Sequence, residues 1–258
     1  MNRINKLFEQ KNKSVLSIYF TAGYPALNDT LDIAEALEKA GADFLEIGIP
    51  YSDPLADGPV IQNSSLTSIS NGMTIKVLLE QLKDLRKRVS IPVFLMGYFN
   101  PVLQYGVERF CEACSEVGVD GMIIPDLPMY EYEELYQDCF KKHNLSNVFL
   151  ITPQTSDERI RHIDELTNGF IYLLSSASTT GKNLDLSLKT DEYFSRIKNM
   201  NLKNPAIVGF GISDHASFSK ASEYAHGAIV GTAFVKLLAT ENYQEKIPAF
   251  IQSLKNPA

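Results

Sequence analysis

The stretch ADFLEIGIPYSDPLADGP, residues 42 to 59, sets one glutamate inside an apolar run and follows it with two aspartates in a proline-rich loop. Alternation along DFLEIGI, residues 43 to 49, puts Leu45, Ile47 and Ile49 on one face of a strand and Phe44, Glu46 and Gly48 on the other. The aliphatic face suits packing against helices. Glu46 then projects into the interior of a barrel, near the carboxyl end of its strand, where barrel enzymes keep their active sites. An unpaired charge is costly there, and the other apolar runs offer no inward Lys or Arg to pair with it. A buried salt bridge is the competing reading. Without such a partner the carboxyl has a raised pKa and both donates and accepts a proton.

Outward from this strand, apolar, β-branched runs recur along the chain: VLSIYFTA, DFLEIGI, PVFLMG, VDGMIIP, NVFLIT, GFIYLLSS, AIVGFG and GAIVGT. Helical patterns lie between them. Leu31, Ala34 and Leu37 follow Asn28 and Asp29, and Leu78, Leu79, Leu82 and Leu85 follow Thr74. Ser156 and Ser213 are placed as helix N-caps. Eight alternations of strand and helix predict an α/β fold, a single TIM (β/α)₈ barrel over residues 1–258; an open doubly wound sheet reads similarly. The longer gap from 50 to 91 predicts an added loop and helix after the second strand, and residues 2 to 11 predict an extra N-terminal helix at the barrel's bottom.

Composition narrows the function classes. With 45% hydrophobic residues the chain can bury a large core, and 24 basic against 31 acidic residues give a net charge of -7 without a basic stripe. Nucleic acid is therefore not an expected partner, and the absence of a long apolar run argues against a membrane. The polar amino terminus lacks the apolar segment of a signal peptide, so the expected location is cytoplasmic. Cys111 and Cys114 form a CxxC within a helical pattern, read as two partly buried thiols on one helix face. No metal spacing or Ser/His/Asp arrangement is evident.

The remaining candidates cluster at strand ends. Strands seven and eight end in VGFGIS and IVGTAF, and in barrels the loops after these strands often bind phosphate through close backbone N–H groups. Gly211, Gly231 and Thr232 are the expected donors, with tight turns as the plainer reading. Asp57 lies in the loop leaving the Glu46 strand and can reach the barrel mouth, while Asp53 reads as a turn former. One dry and one wetter carboxyl can divide acid and base roles. Tyr172, and Tyr19 on the same face as Ser17 and Thr21, are candidates for the pocket wall or for core filling. The Ser/Thr/Gly segment after Tyr172 reads as a lid.

These residues carry a family likeness. LEIGIPYSDPLADGPVIQ, YFTAGYP, MGYFNP, IIPDLP, YLLSSASTTG and VGFGIS, in this order and over almost the whole chain, resemble the tryptophan synthase α subunit family. The resemblance implies a TIM barrel that cleaves indole-3-glycerol phosphate by a retro-aldol step to indole and glyceraldehyde 3-phosphate. It implies Glu46 as the acid and base, Asp57 on indole N1–H, and Tyr19, Tyr172 and Thr180 as substrate contacts. It also implies a phosphate site at Gly181, Gly211, Gly231 and Thr232. No cofactor is implied for this chain; pyridoxal phosphate belongs to a β subunit partner in an α₂β₂ assembly. Ser178 stands where the family more often has the first glycine of its lid. Two other readings accompany this one: a barrel acting on another aryl or sugar phosphate, and a subunit that chiefly binds ligand and activates its partner. A Schiff-base aldolase is disfavoured, since no lysine stands at a strand end.

Overall fold

A computed structural model describes residues 2–174, 188–209 and 211–256. Its strands are β1 (Val15–Thr21), β2 (Phe44–Gly48), β3 (Val93–Met96), β4 (Gly121–Ile123), β5 (Ser146–Val148), β6 (Leu150–Ile151), β7 (Ile171–Leu174), β8 (Ala206–Gly209) and β9 (Gly227–Val230). All pairings are parallel, in the order β5-β4-β3-β2-β1-β9-β8-β7-β6, with β1 bonded to both β2 and β9. The run NVFLIT supplies two segments because its first half pairs with β4 and its second with β7. Phe149 between them still accepts from Tyr172 N–H at 3.0 Å, so β5 and β6 form one stave. The barrel therefore has eight staves, as the eight runs predict.

Strand alternation sorts the apolar residues into two layers. Leu16, Ile18, Phe20, Leu45, Ile47, Val93 and Leu95 pack outward with the helices. Val15, Phe44, Phe94, Ile123, Val148, Phe170, Tyr172, Ile207 and Ile229 fill the interior. Phe170 sits 5.2 Å from Phe44 and 5.3 Å from Phe94 between ring centroids, a layer of aromatic contacts worth ~0.5–1.5 kcal/mol per pair beyond burial.

The helix Arg3–Gln10 closes the barrel below this layer. Asn2 caps it by accepting from Ile4 N–H, and Ile4 is wholly buried in the interior cluster. The Asn2 amide also donates to Asp120 O at 2.6 Å, tying the helix to the amino-terminal end of β4. At the opposite end, the segment added after β2 forms the helix Pro59–Ser70, with Pro59 in the first turn where its missing N–H costs nothing. Its Ser64 hydroxyl meets Thr21 Oγ1 at 2.6 Å, and Asn71 Nδ2 donates to Gly23 O at 2.9 Å. These bonds hold the added helix over the carboxyl end of β1.

Thr74 and Ser156 cap their helices as the sequence predicts, accepting from Val77 and Arg159 N–H. Ser213 does not. The cap is Asp214, whose carboxylate accepts from Ser217 N–H at 2.8 Å while Ser217 Oγ reaches back to the Asp214 N–H. The charged acceptor at the positive helix end displaces the neutral hydroxyl one residue earlier. Cys111 and Cys114 are fully rather than partly buried, and burial raises both thiol pKa values, which suits packing rather than reactivity.

Candidate active site

Register brings the interior polar groups together. Tyr19 on β1 lies beside Glu46 on β2, which lies beside Phe94 on β3, and Ser17 lies beside Phe44. Glu46 thus stands just above the phenylalanine layer, with no accessible surface. No described residue hydrogen-bonds either of its carboxylate oxygens, and the neighbouring Ser17 Oγ is also without a partner. Burial pushes the Glu46 carboxyl from 4.5 up to about 8, and the nearby Ser17 hydroxyl, outside hydrogen-bonding geometry, opposes the rise. The salt-bridge reading fails: no cation reaches this carboxyl among the described residues.

Asp57 lies in the loop leaving β2, partly covered at the barrel mouth. Burial raises its pKa to about 6, and a hydrogen bond from the Tyr98 hydroxyl at 3.1 Å works against the rise. The two carboxyls are therefore tuned apart, the interior one protonated and the outer one ionised near neutrality. Asp53 is exposed and takes a hydrogen bond from Ser52 Oγ at 2.5 Å, a local loop contact.

Tyr172 is buried, and Tyr19 keeps some exposure. Burial raises both phenol pKa values, and Asp57 and Glu46 add to the rise at each, which places all four groups in one electrostatic neighbourhood. Both rings occupy space that two glycines leave open. A Cβ at Gly48 would lie 2.2 Å from the Tyr19 hydroxyl, and one at Gly209 would lie 2.1 Å from that of Tyr172.

Gly211 (φ +77°) follows β8, and Gly231 leads from β9 into the helix Thr232–Leu238. β8 and β9 are neighbours, and Gly231 faces the Tyr19 side chain, so these residues border the same mouth. Thr180, Gly181 and the lid containing Ser178 lie outside the described residues.

Sequence reasoning passed over Tyr98, Gly48 and Gly209 as functional positions. The signal was present in the alternation: Phe94, Met96 and Tyr98 continue one face of β3, and Gly209 follows Ile207 on the inward face of β8. What alternation does not reveal is which inward glycine is filled by a neighbour's ring.

A family model described as tryptophan synthase alpha chain matches residues 6–256. The chain is 58% identical to the tryptophan synthase alpha chain of Flavobacterium psychrophilum, over 98% of this chain and 100% of that one. It is 56% identical to that of Christiangramia forsetii, over 99% of each. Among solved structures, the tryptophan synthase subunit alpha from Legionella pneumophila superposes with a TM-score of 0.89 at 35% identity, covering 99% of this chain and 97% of that one. An aminoacrylate-bound tryptophan synthase from M. tuberculosis gives 0.86 at 28% identity, covering 99% and 98%.

Proposed function

Because the chain belongs to the tryptophan synthase alpha chain family, we propose that Glu46 and Asp57 divide the acid and base work of that family's reaction. The chain is a lyase of tryptophan biosynthesis, cleaving indole-3-glycerol phosphate to indole and glyceraldehyde 3-phosphate. The observation that carries the residue assignment is the Glu46 carboxyl, buried and without a hydrogen-bond partner among the described residues, acting with Asp57 on the same two phenols, Tyr19 and Tyr172.

With a pKa of about 8, Glu46 enters protonated at neutral pH and donates to indole C3. The positive charge so created spreads to N1–H, which donates to the Asp57 carboxylate, ionised above about pH 6. Glu46, now a carboxylate, takes the proton of the hydroxyl on the carbon attached to C3. That carbon–carbon bond breaks, its electron pair returns to the indole ring, and the aldehyde leaves. Glu46 ends protonated, as it began. Tyr19 and Tyr172 wall the indole. Thr180 joins them as a substrate contact, and Gly181, Gly211, Gly231 and Thr232 receive the phosphate.

The partner is a β subunit carrying pyridoxal phosphate, in an α₂β₂ assembly. Four large apolar side chains support a docking face: Leu55 (84% exposed), Leu103 (48%), Tyr130 (66%) and Leu135 (60%). They lie on the segments that leave β2, β3 and β4, three adjacent staves whose carboxyl ends border the active-site mouth.

Assays of indole release by purified Glu46→Gln and Asp57→Asn test the assignment. Both should lose most activity, and near wild-type cleavage by either variant would sink it.

A further inference from the structure

We propose that Tyr98 is the positioning residue for Asp57, its hydroxyl clamping the carboxylate and the preceding backbone N–H so that the loop after β2 holds one placement over the barrel mouth. The inference rests on the reading of Asp57 given above and adds to it the residue that orients this carboxylate.

Two bonds of opposite sense converge on one oxygen. The Tyr98 hydroxyl donates to Asp57 Oδ2 at 3.1 Å and accepts from Ala56 N–H at 3.0 Å. A side chain that bonds two consecutive residues of a loop fixes a direction as well as a distance. Gln62 Nε2 adds a bond to Asp57 O at 2.8 Å from the helix that follows.

Tyr98 is itself held on both sides. Its ring packs on Tyr51 at 5.1 Å between centroids, and the next residue, Phe99, donates its N–H to Asp126 Oδ1 at 2.8 Å. The clamp thus joins the loop after β2 to the ends of β3 and β4. The arrangement has chemical as well as mechanical consequences. A phenol donor favours the ionised form of Asp57, opposing the burial that raises its pKa. Burial, and Asp57 after it, raise the Tyr98 phenol, so the phenol stays protonated and remains a donor throughout the working range. Among the described residues, the other titratable groups facing the pair are Glu46 from β2, Tyr51 after β2, Tyr19 from β1, Tyr172 from β7 and Asp126 after β4.

The test is Tyr98→Phe, which keeps the ring and its packing on Tyr51 and removes only the hydroxyl. The acid limb of kcat/KM for indole release should move up by about one pH unit, a loss of about fivefold at pH 6 that shrinks below about twofold near pH 7.5. In the Asp57→Asn background the same change should cost less than about twofold, since the two residues act as one unit. An acid limb that stays in place, whatever the drop in rate, overturns the proposal, and so does a full additive loss in the double variant. A turnover-free measurement separates this inference from the lyase assignment. Titrating the Asp57 carboxyl carbon by NMR should show a higher pKa in Tyr98→Phe than in the wild type, and an unchanged titration overturns the clamp even if Asp57 proves essential.

Discussion

Asp120 and Glu46 are buried carboxyls at opposite ends of the barrel, and their surroundings differ in every respect. Asp120, just before β4, is 3% exposed and saturated: Arg86 Nη2 at 2.6 Å, Arg3 Nη1 at 3.0 Å and Val93 N–H at 2.8 Å. Glu46 has no exposure and, among the described residues, no such partner. At the amino-terminal end the charge is closed off and joins the closing helix, the helix Leu85–Arg88 and two strands. At the carboxyl-terminal end a carboxyl is left without a hydrogen-bond partner among the described residues, which costs stability and leaves its lone pairs and proton uncommitted.

The comparison can be broken most directly by neutralising each group. Glu46→Gln should lower indole release by ~10²–10⁴-fold while leaving the fold at least as stable, because an amide replaces a group that burial penalises when ionised. Indole assay and thermal unfolding at neutral pH check the two halves. Asp120→Ala should do the reverse, costing about 3–5 kcal/mol by stranding Arg86 and the Val93 N–H, with cleavage per folded molecule retained. An unfolding free energy from urea titration within ~1 kcal/mol of the wild type would show that the saturated carboxyl contributes little.

pH sharpens the contrast. Glu46 titrates near 4.5 when unfolded and near 8 when folded, so between these values the native state holds the extra proton. Its contribution to stability is complete below about pH 4.5 and is lost as pH rises through about 8, with a slope of at most about 1.4 kcal/mol per pH unit. Urea midpoints from pH 5 to 8.5 should fall less steeply in Glu46→Gln than in the wild type. Gly209→Ala should be costly to the mouth, since its Cβ would press on the Tyr172 hydroxyl; a destabilisation of about 1–3 kcal/mol with a raised KM is expected. The smallest effect on folding belongs to the exposed apolar side chains. Leu55→Gln should change stability by less than about 0.5 kcal/mol, and its consequence should be confined to weaker co-elution with the β subunit on gel filtration.

Much of this was legible along the chain. The split between Leu45, Ile47 and Ile49 on the outer face and Phe44, Glu46 and Gly48 on the inner one follows from a period of two, and the layers obey it. The Thr74 and Ser156 caps were readable because a cap bonds within four residues. Ser213 was misplaced because two adjacent acceptors competed for one helix end, and local pattern does not rank them. Tyr98 carries no local signal of its role, since its partners are Ala56 and Asp57, separated from it by a helix-bearing insertion.

The sequence by itself determined the eight staves, the inward direction of Glu46 and the lack of a cation to pair with it, because these depend on alternation and residue type. Only the tertiary structure decided how far burial raises each carboxyl, which tyrosine fills the space above which glycine, and which phenol clamps Asp57. Those depend on register between strands distant in sequence, and a desolvation energy exists only once the neighbours that exclude water are in place.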